Sequence, residues 1–134
     1  QIAKIRANYV SHSTGSPCAI SQKASVEALT GSQAKIETMR QAFEARRNAM
    51  VEGMNAIPGV SCLKPEGAFY LFVKSPVENE KEFCEVCKQY NVLVVPGSSF
   101  ACPGYVRIAY CVSYGQIERS LPAFRKIAEH YNLV

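Results

Sequence analysis

The stretch VVPGSSFACPGYVRIAYCVS, residues 94–113, divides into two apolar segments around a turn rich in Gly, Pro and Ser. Its second half, from Tyr105 to Val112, reads as a strand with one charge in it, Arg107. A guanidinium keeps its charge at any physiological pH, so in a strand it must face water, pair with an acid or await an anion. Strand side chains alternate between faces. Val106, Ile108, Tyr110 and Val112 therefore share one side, and Tyr105, Arg107, Ala109 and Cys111 the other. The branched side is expected to meet helices, which sends Arg107 out of the open side.

Outward from this strand the chain alternates helical and extended patterns. SHSTGSP is a loop in which Ser16 is expected to cap a helix with Pro17 in its first turn, running to Thr30 and Gly31. A longer helix restarts at Ser32, with Ile36, Met39, Phe43, Met50, Met54 and Ile57 spaced as one apolar stripe. Pro58 and Gly59 end it. VSCL and AFYLFVK read as strands joined by a tight KPEG link, a hairpin signal. Residues 79–90 form a short amphipathic helix that leads into NVLVVPG. The last helix, from about Gly115 to Tyr131, places Ile117, Leu121, Phe124, Ile127 and Ala128 on one side. The expected class is α+β, a small and largely antiparallel sheet of three or four strands packed on helices, preceded by a long helical segment.

The chain has 134 residues, 48% of them hydrophobic and 19% charged, enough apolar material for a core without metal or disulfide staples. Its net charge is +4. The basic residues are interleaved with acids: Lys35, Arg40, Arg46 and Arg47 stand among Glu37, Glu44 and Glu52, the pattern of a solvated helix face and not of a nucleic-acid surface. No apolar run reaches membrane-spanning length and no secretion signal opens the chain. The chain begins at Gln1 within a helical pattern, so it reads as a piece of a longer polypeptide. Its six cysteines sit mostly in apolar strands or helix faces and are expected to be free thiols.

Cys84 and Cys87, in CEVC, have the spacing of a redox pair or half a zinc site, but no second close pair exists and His12 and His130 are isolated. Packing of one helix face is the plainer expectation, and no metal is expected. The hydroxyls of Ser11, Ser13, Thr14 and Ser16 would suit either a phosphate or a capped loop. No nucleophile–base triad and no phosphate-cradling glycine loop can be assembled.

Taken in order, SHSTGSPCAISQKASVEAL, PEGAFYLFV, NVLVVPGSSF and GYVRIAY resemble the C-terminal part of class I pyridoxal-phosphate aminotransferases, especially the branch of many prokaryotic aspartate aminotransferases. The resemblance covers essentially the whole chain. It implies that Arg107 grips the substrate α-carboxylate and that Phe100 borders the substrate pocket, with turn packing as the alternative for Phe100. IRANY resembles a stretch in which an arginine reads the substrate's distal carboxylate across a dimer, here Arg6, although the spacing from RANY to Pro17 departs from that pattern; a solvent-exposed helix arginine is the alternative. The family's cofactor-bearing lysine follows a Ser in an upstream loop, and none of Lys4, Lys23, Lys35, Lys64, Lys74, Lys81, Lys88 or Lys126 does so. No catalytic or cofactor-binding residue is therefore expected in this chain, nor covalently bound pyridoxal 5'-phosphate. Residues 1–31 would be the end of a large cofactor domain with bridging helices, and residues 32–134 the small domain.

The parent implied is a cytoplasmic homodimer acting on amino-acid and 2-oxo-acid substrates, with this segment packed on the cofactor domain of the same chain. Two other readings stand beside it: a lyase or synthase of the same cofactor superfamily, and a non-enzymatic α+β binding module.

Overall fold

In the computed structural model, which describes residues 1–13, 15 and 17–134, the strand carrying Arg107 is the middle of a three-stranded antiparallel sheet. Strand β1 (Tyr70–Lys74) lies on one side of it, β2 (Val95–Pro96) on the other, and β3 (Tyr105–Ala109) runs between them. Five helices accompany the sheet: α1 (Ile2–Ser13), α2 (Ala19–Thr30), α3 (Ala34–Asn55), α4 (Glu80–Gln89) and α5 (Tyr114–His130). The chain is α+β, as its patterning predicts. It forms two compact units, Gln1–Glu37 and Thr38–Val134.

The second unit holds the core. Leu71 and Val73 of β1 and Val106 and Ile108 of β3 are buried on one face of the sheet. Phe83, Cys84 and Cys87 of α4, Ile117, Phe124 and Ile127 of α5, and Met50 and Met54 of α3 join the same buried cluster. Tyr110 continues the buried row and donates its hydroxyl to the Ala68 carbonyl at 2.9 Å, so burying this phenol leaves no polar atom unsatisfied. Helix starts follow ordinary capping chemistry. The Asn79 side chain accepts from the amides of Lys81 and Glu82 at the head of α4, and Ser113 accepts from Gln116 at the head of α5.

Several local expectations are corrected. The hairpin shrinks to a single bridge between Cys62 and Val73, and β1 takes its full ladder from β3, Tyr70 opposite Ala109 through Lys74 opposite Tyr105. Leu63, 90% exposed, lies outside any ladder, so KPEG is a wider crossing than a tight turn. NVLVV supplies only Val95 to a strand. Val92 uses its amide to close α4, bonding the Cys87 carbonyl after Asn91 enters the left-handed region, and Pro96 has no amide to extend the ladder. The stripe on α3 is buried only in its later turns: Met50 and Met54 are in the core, whereas Ile36 and Met39 are exposed. Ile57 is buried beyond the helix end. Helix α2 has Cys18 at its N-cap. Ser16 and Thr14, and with them the expected cap and half of the hydroxyl cluster, lie outside the described residues.

Candidate functional site

Arg107 stands where the alternation sends it. Its neighbours Val106 and Ile108 are buried, while Arg107 itself is half-buried on the opposite face. Across the ladders it faces Phe72 of β1 on one side and Val95 of β2 on the other, at the centre of the open face.

Two aromatic rings hold the guanidinium. Its carbon lies 4.2 Å from the centroid of Tyr70, the diagonal neighbour on β1, and 3.8 Å from that of Phe100. Phe100 comes from the short 3₁₀ turn Gly97–Phe100 that follows β2, and its ring meets the edge of Phe72 at 6.3 Å. Rings hold a guanidinium through its flat faces and leave its N–H edge free for a planar acceptor. Among the described residues no carboxylate or carbonyl pairs with Arg107; ion pairs such as Glu44 with Arg40 and Arg47, and Glu85 with Lys88, lie on helix surfaces. The site is thus a charged fork with restrained orientation, unpaired and facing outward, suited to one carboxylate.

The turn that carries Phe100 is tightly built. A side chain at Gly97 would meet the backbone oxygens of Cys102 and Tyr105, the latter 2.6 Å away, so only glycine fits. Ala101 adopts the left-handed conformation (φ 56°) as the turn reverses. At its far end the Gly104 carbonyl accepts from Ser75, past the end of β1, at 2.9 Å.

The other expected site residues divide. Phe100 is brought onto Arg107, whereas Arg6 lies in the first unit on the exposed surface of α1, in a shallow groove lined only by that helix. Cys84 and Cys87 face the core. Burial pushes the Cys87 thiol up to about 12 and raises Cys84 as well, which keeps both protonated and poor as metal ligands or redox groups. Among the described residues no three His, Cys, Asp or Glu side chains converge as a metal site, and no helix is long and apolar enough to cross a membrane. Tyr70 is the contact that the sequence argument missed. Its signal was available, since period two in AFYLFVK puts Tyr70 and Phe72 opposite Leu71 and Val73.

The family model for aminotransferase class I and II matches residues 1–124. The chain belongs to this family. The aspartate aminotransferase of Bacillus subtilis is 35% identical over 144 residues, an alignment covering 98% of this chain and 35% of that protein. An aminotransferase structure from Eubacterium rectale is 46% identical, with a TM-score of 0.66 over 69% of this chain and 23% of its own. The Thermus thermophilus aspartate aminotransferase with maleate is 36% identical with a TM-score of 0.81, covering 92% of this chain and 34% of its own. The chain therefore spans about a third of the length of the family members it matches.

Pyridoxal phosphate is the cofactor of aspartate aminotransferases. Every lysine of this chain is solvent-exposed, on helix surfaces, in the loop at Lys64 or at the end of β1. A lysine that joins a cofactor carbonyl works from an enclosed pocket that depresses its basicity. The residues present do not fit that role, and no step through the cofactor is assigned to them.

Proposed function

We propose that this chain is the C-terminal, substrate-clamping portion of a pyridoxal-phosphate-dependent aminotransferase of the aspartate aminotransferase type, and that Arg107 binds the α-carboxylate of its amino-acid and 2-oxo-acid substrates. One observation carries this reading: a guanidinium at the centre of the open sheet face, backed by Tyr70 and Phe100 and without an acid partner among the described residues. A bidentate pair with a carboxylate fixes both distance and plane, which orients the substrate's α-carbon for the chemistry that the cofactor supplies when bound. Phe100, 42% exposed, forms a wall beside the fork and shields that pair from water.

On this reading residues 1–31 belong to the cofactor domain and its bridging helices and residues 32–134 to the small domain, in a homodimer whose remaining two-thirds holds the cofactor lysine. A dicarboxylate, maleate, is bound by the Thermus thermophilus relative, which supports an acidic amino acid as the substrate class.

The test is the reaction itself. The full-length polypeptide, supplied with pyridoxal phosphate, L-aspartate and 2-oxoglutarate, is expected to yield oxaloacetate and L-glutamate in equal amounts. Elimination or acyl transfer in place of that exchange, or no turnover of any amino acid, would overturn the proposal in favour of another enzyme of the superfamily or a binding module.

A further inference from the structure

The first residue of α4 is a carboxylate that solvent barely reaches. Glu80 is 7% exposed, and no cation pairs with it among the described residues. A buried carboxylate needs either a cation or several donors. Glu80 has the donors. Its Oε2 accepts from the Gly104 amide at 3.4 Å, and the hydroxyl and amide of Ser98 lie beside it and favour its ionised form. These donors, Ser98's hydroxyl foremost, hold the carboxyl below the usual range. An acid in the first turn of a helix ordinarily serves that helix's own amides and dipole. That accounts for the contribution of Glu80's own amide, but not for the bond from Gly104 or the donors of Ser98, both beyond the end of α4.

Ser98 and Gly104 bracket the segment that carries Phe100. One lies two residues before the ring that backs Arg107, and the other immediately precedes β3, on which Arg107 sits. The segment has no slack at its root, where Gly97 packs against the backbone of Cys102 and Tyr105. A single carboxylate thus bonds one end of the loop whose tip restrains the fork and has the donors of the other end beside it.

We infer that Glu80 is a positioning residue for substrate binding: by tying Ser98 to Gly104 it fixes Phe100 against Arg107 and so sets the direction in which the guanidinium presents its N–H edge. This deepens, and rests on, the assignment of Arg107 as the carboxylate clamp. Loss of the tie frees the ring, and the guanidinium then samples orientations that meet a carboxylate with one bond in place of two. The cost falls on substrate capture more than on turnover.

The experiment is a double-mutant cycle in the full-length enzyme assayed with L-aspartate and 2-oxoglutarate. Glu80→Ala is expected to raise KM for L-aspartate about tenfold while kcat changes less than about threefold. Added to Arg107→Lys, it should cost less than about twofold more, because the group it positions is already altered. Glu80→Gln keeps the shape but loses the charge, and should raise KM about threefold; it carries the test if the alanine variant does not fold. A lower melting temperature with wild-type KM, or a Glu80 effect that multiplies fully with that of Arg107→Lys, overturns the positioning role alone. An unchanged KM in Arg107→Lys itself overturns the clamp, and this inference with it.

Discussion

At Glu80 the folded protein favours the ionised form, so this residue gives stability a defined response to acid. Its folded pKa lies below the ordinary glutamate value of about 4.3, through the donors of Ser98, its own amide and Gly104. A depressed carboxylate contributes fully above the unfolded value and loses that contribution as pH falls through the folded one. The melting-temperature gap between the wild type and Glu80→Gln is therefore expected to be widest near neutrality and to close below about pH 4. Thermal melts from pH 3 to pH 7 check this; a gap that widens on acidification contradicts it. Gly97 makes a second demand. Gly97→Ala drives a methyl group into backbone oxygens that cannot move independently, and it should lose about 2–3 kcal/mol in urea unfolding. A variant as stable as the wild type would mean that the turn is looser than described. Arg107's direction was legible because alternation is local. The Glu80 tie was not, because it joins residues far apart in the chain and leaves no periodic trace.

Helix α4 illustrates both what patterning reveals and what it leaves open. Its limits, its Asn79 cap and its apolar side follow from residues 79–90 alone, and CEVC falls on that side for the same reason. With Cys87 fully buried and its thiol pushed up to about 12, iodoacetamide at pH 8 should label exposed Cys18 and Cys111 in the native chain and spare Cys84 and Cys87. Cys87→Ala should cost about 1–2 kcal/mol by denaturant unfolding. Ready labelling of Cys87, or stoichiometric zinc, would reverse the packing interpretation. The sheet was less legible than the helices. VLVV has the composition of a strand, yet the amide of Val92 caps α4 and Pro96 lacks one, so only two residues pair. Composition reports β propensity; which amides are already committed is decided by the neighbouring helix.

The 134-residue chain holds Arg107, the proposed substrate clamp, and the rings that back it on a folded unit, Thr38–Val134, while its family members are about three times as long. Treated with pyridoxal phosphate and then borohydride, the chain alone is expected to give only scattered, substoichiometric lysine modification, because every lysine is exposed. One stoichiometric adduct at a single lysine, found by mass spectrometry, would show a cofactor site of its own. The central claim, that Arg107 serves substrate and not fold, is tested most directly by Arg107→Lys in the full-length enzyme, with kcat/KM and melting temperature measured on the same preparation. Lysine keeps the charge but loses the fork, so kcat/KM should fall by two to three decades, about 2–4 kcal/mol of transition-state stabilisation. Stability should change by about 1 kcal/mol or less, since only ring contacts on a half-exposed side chain are altered. A clearly lower melting temperature with wild-type kcat/KM would contradict the account and make Arg107 a structural residue.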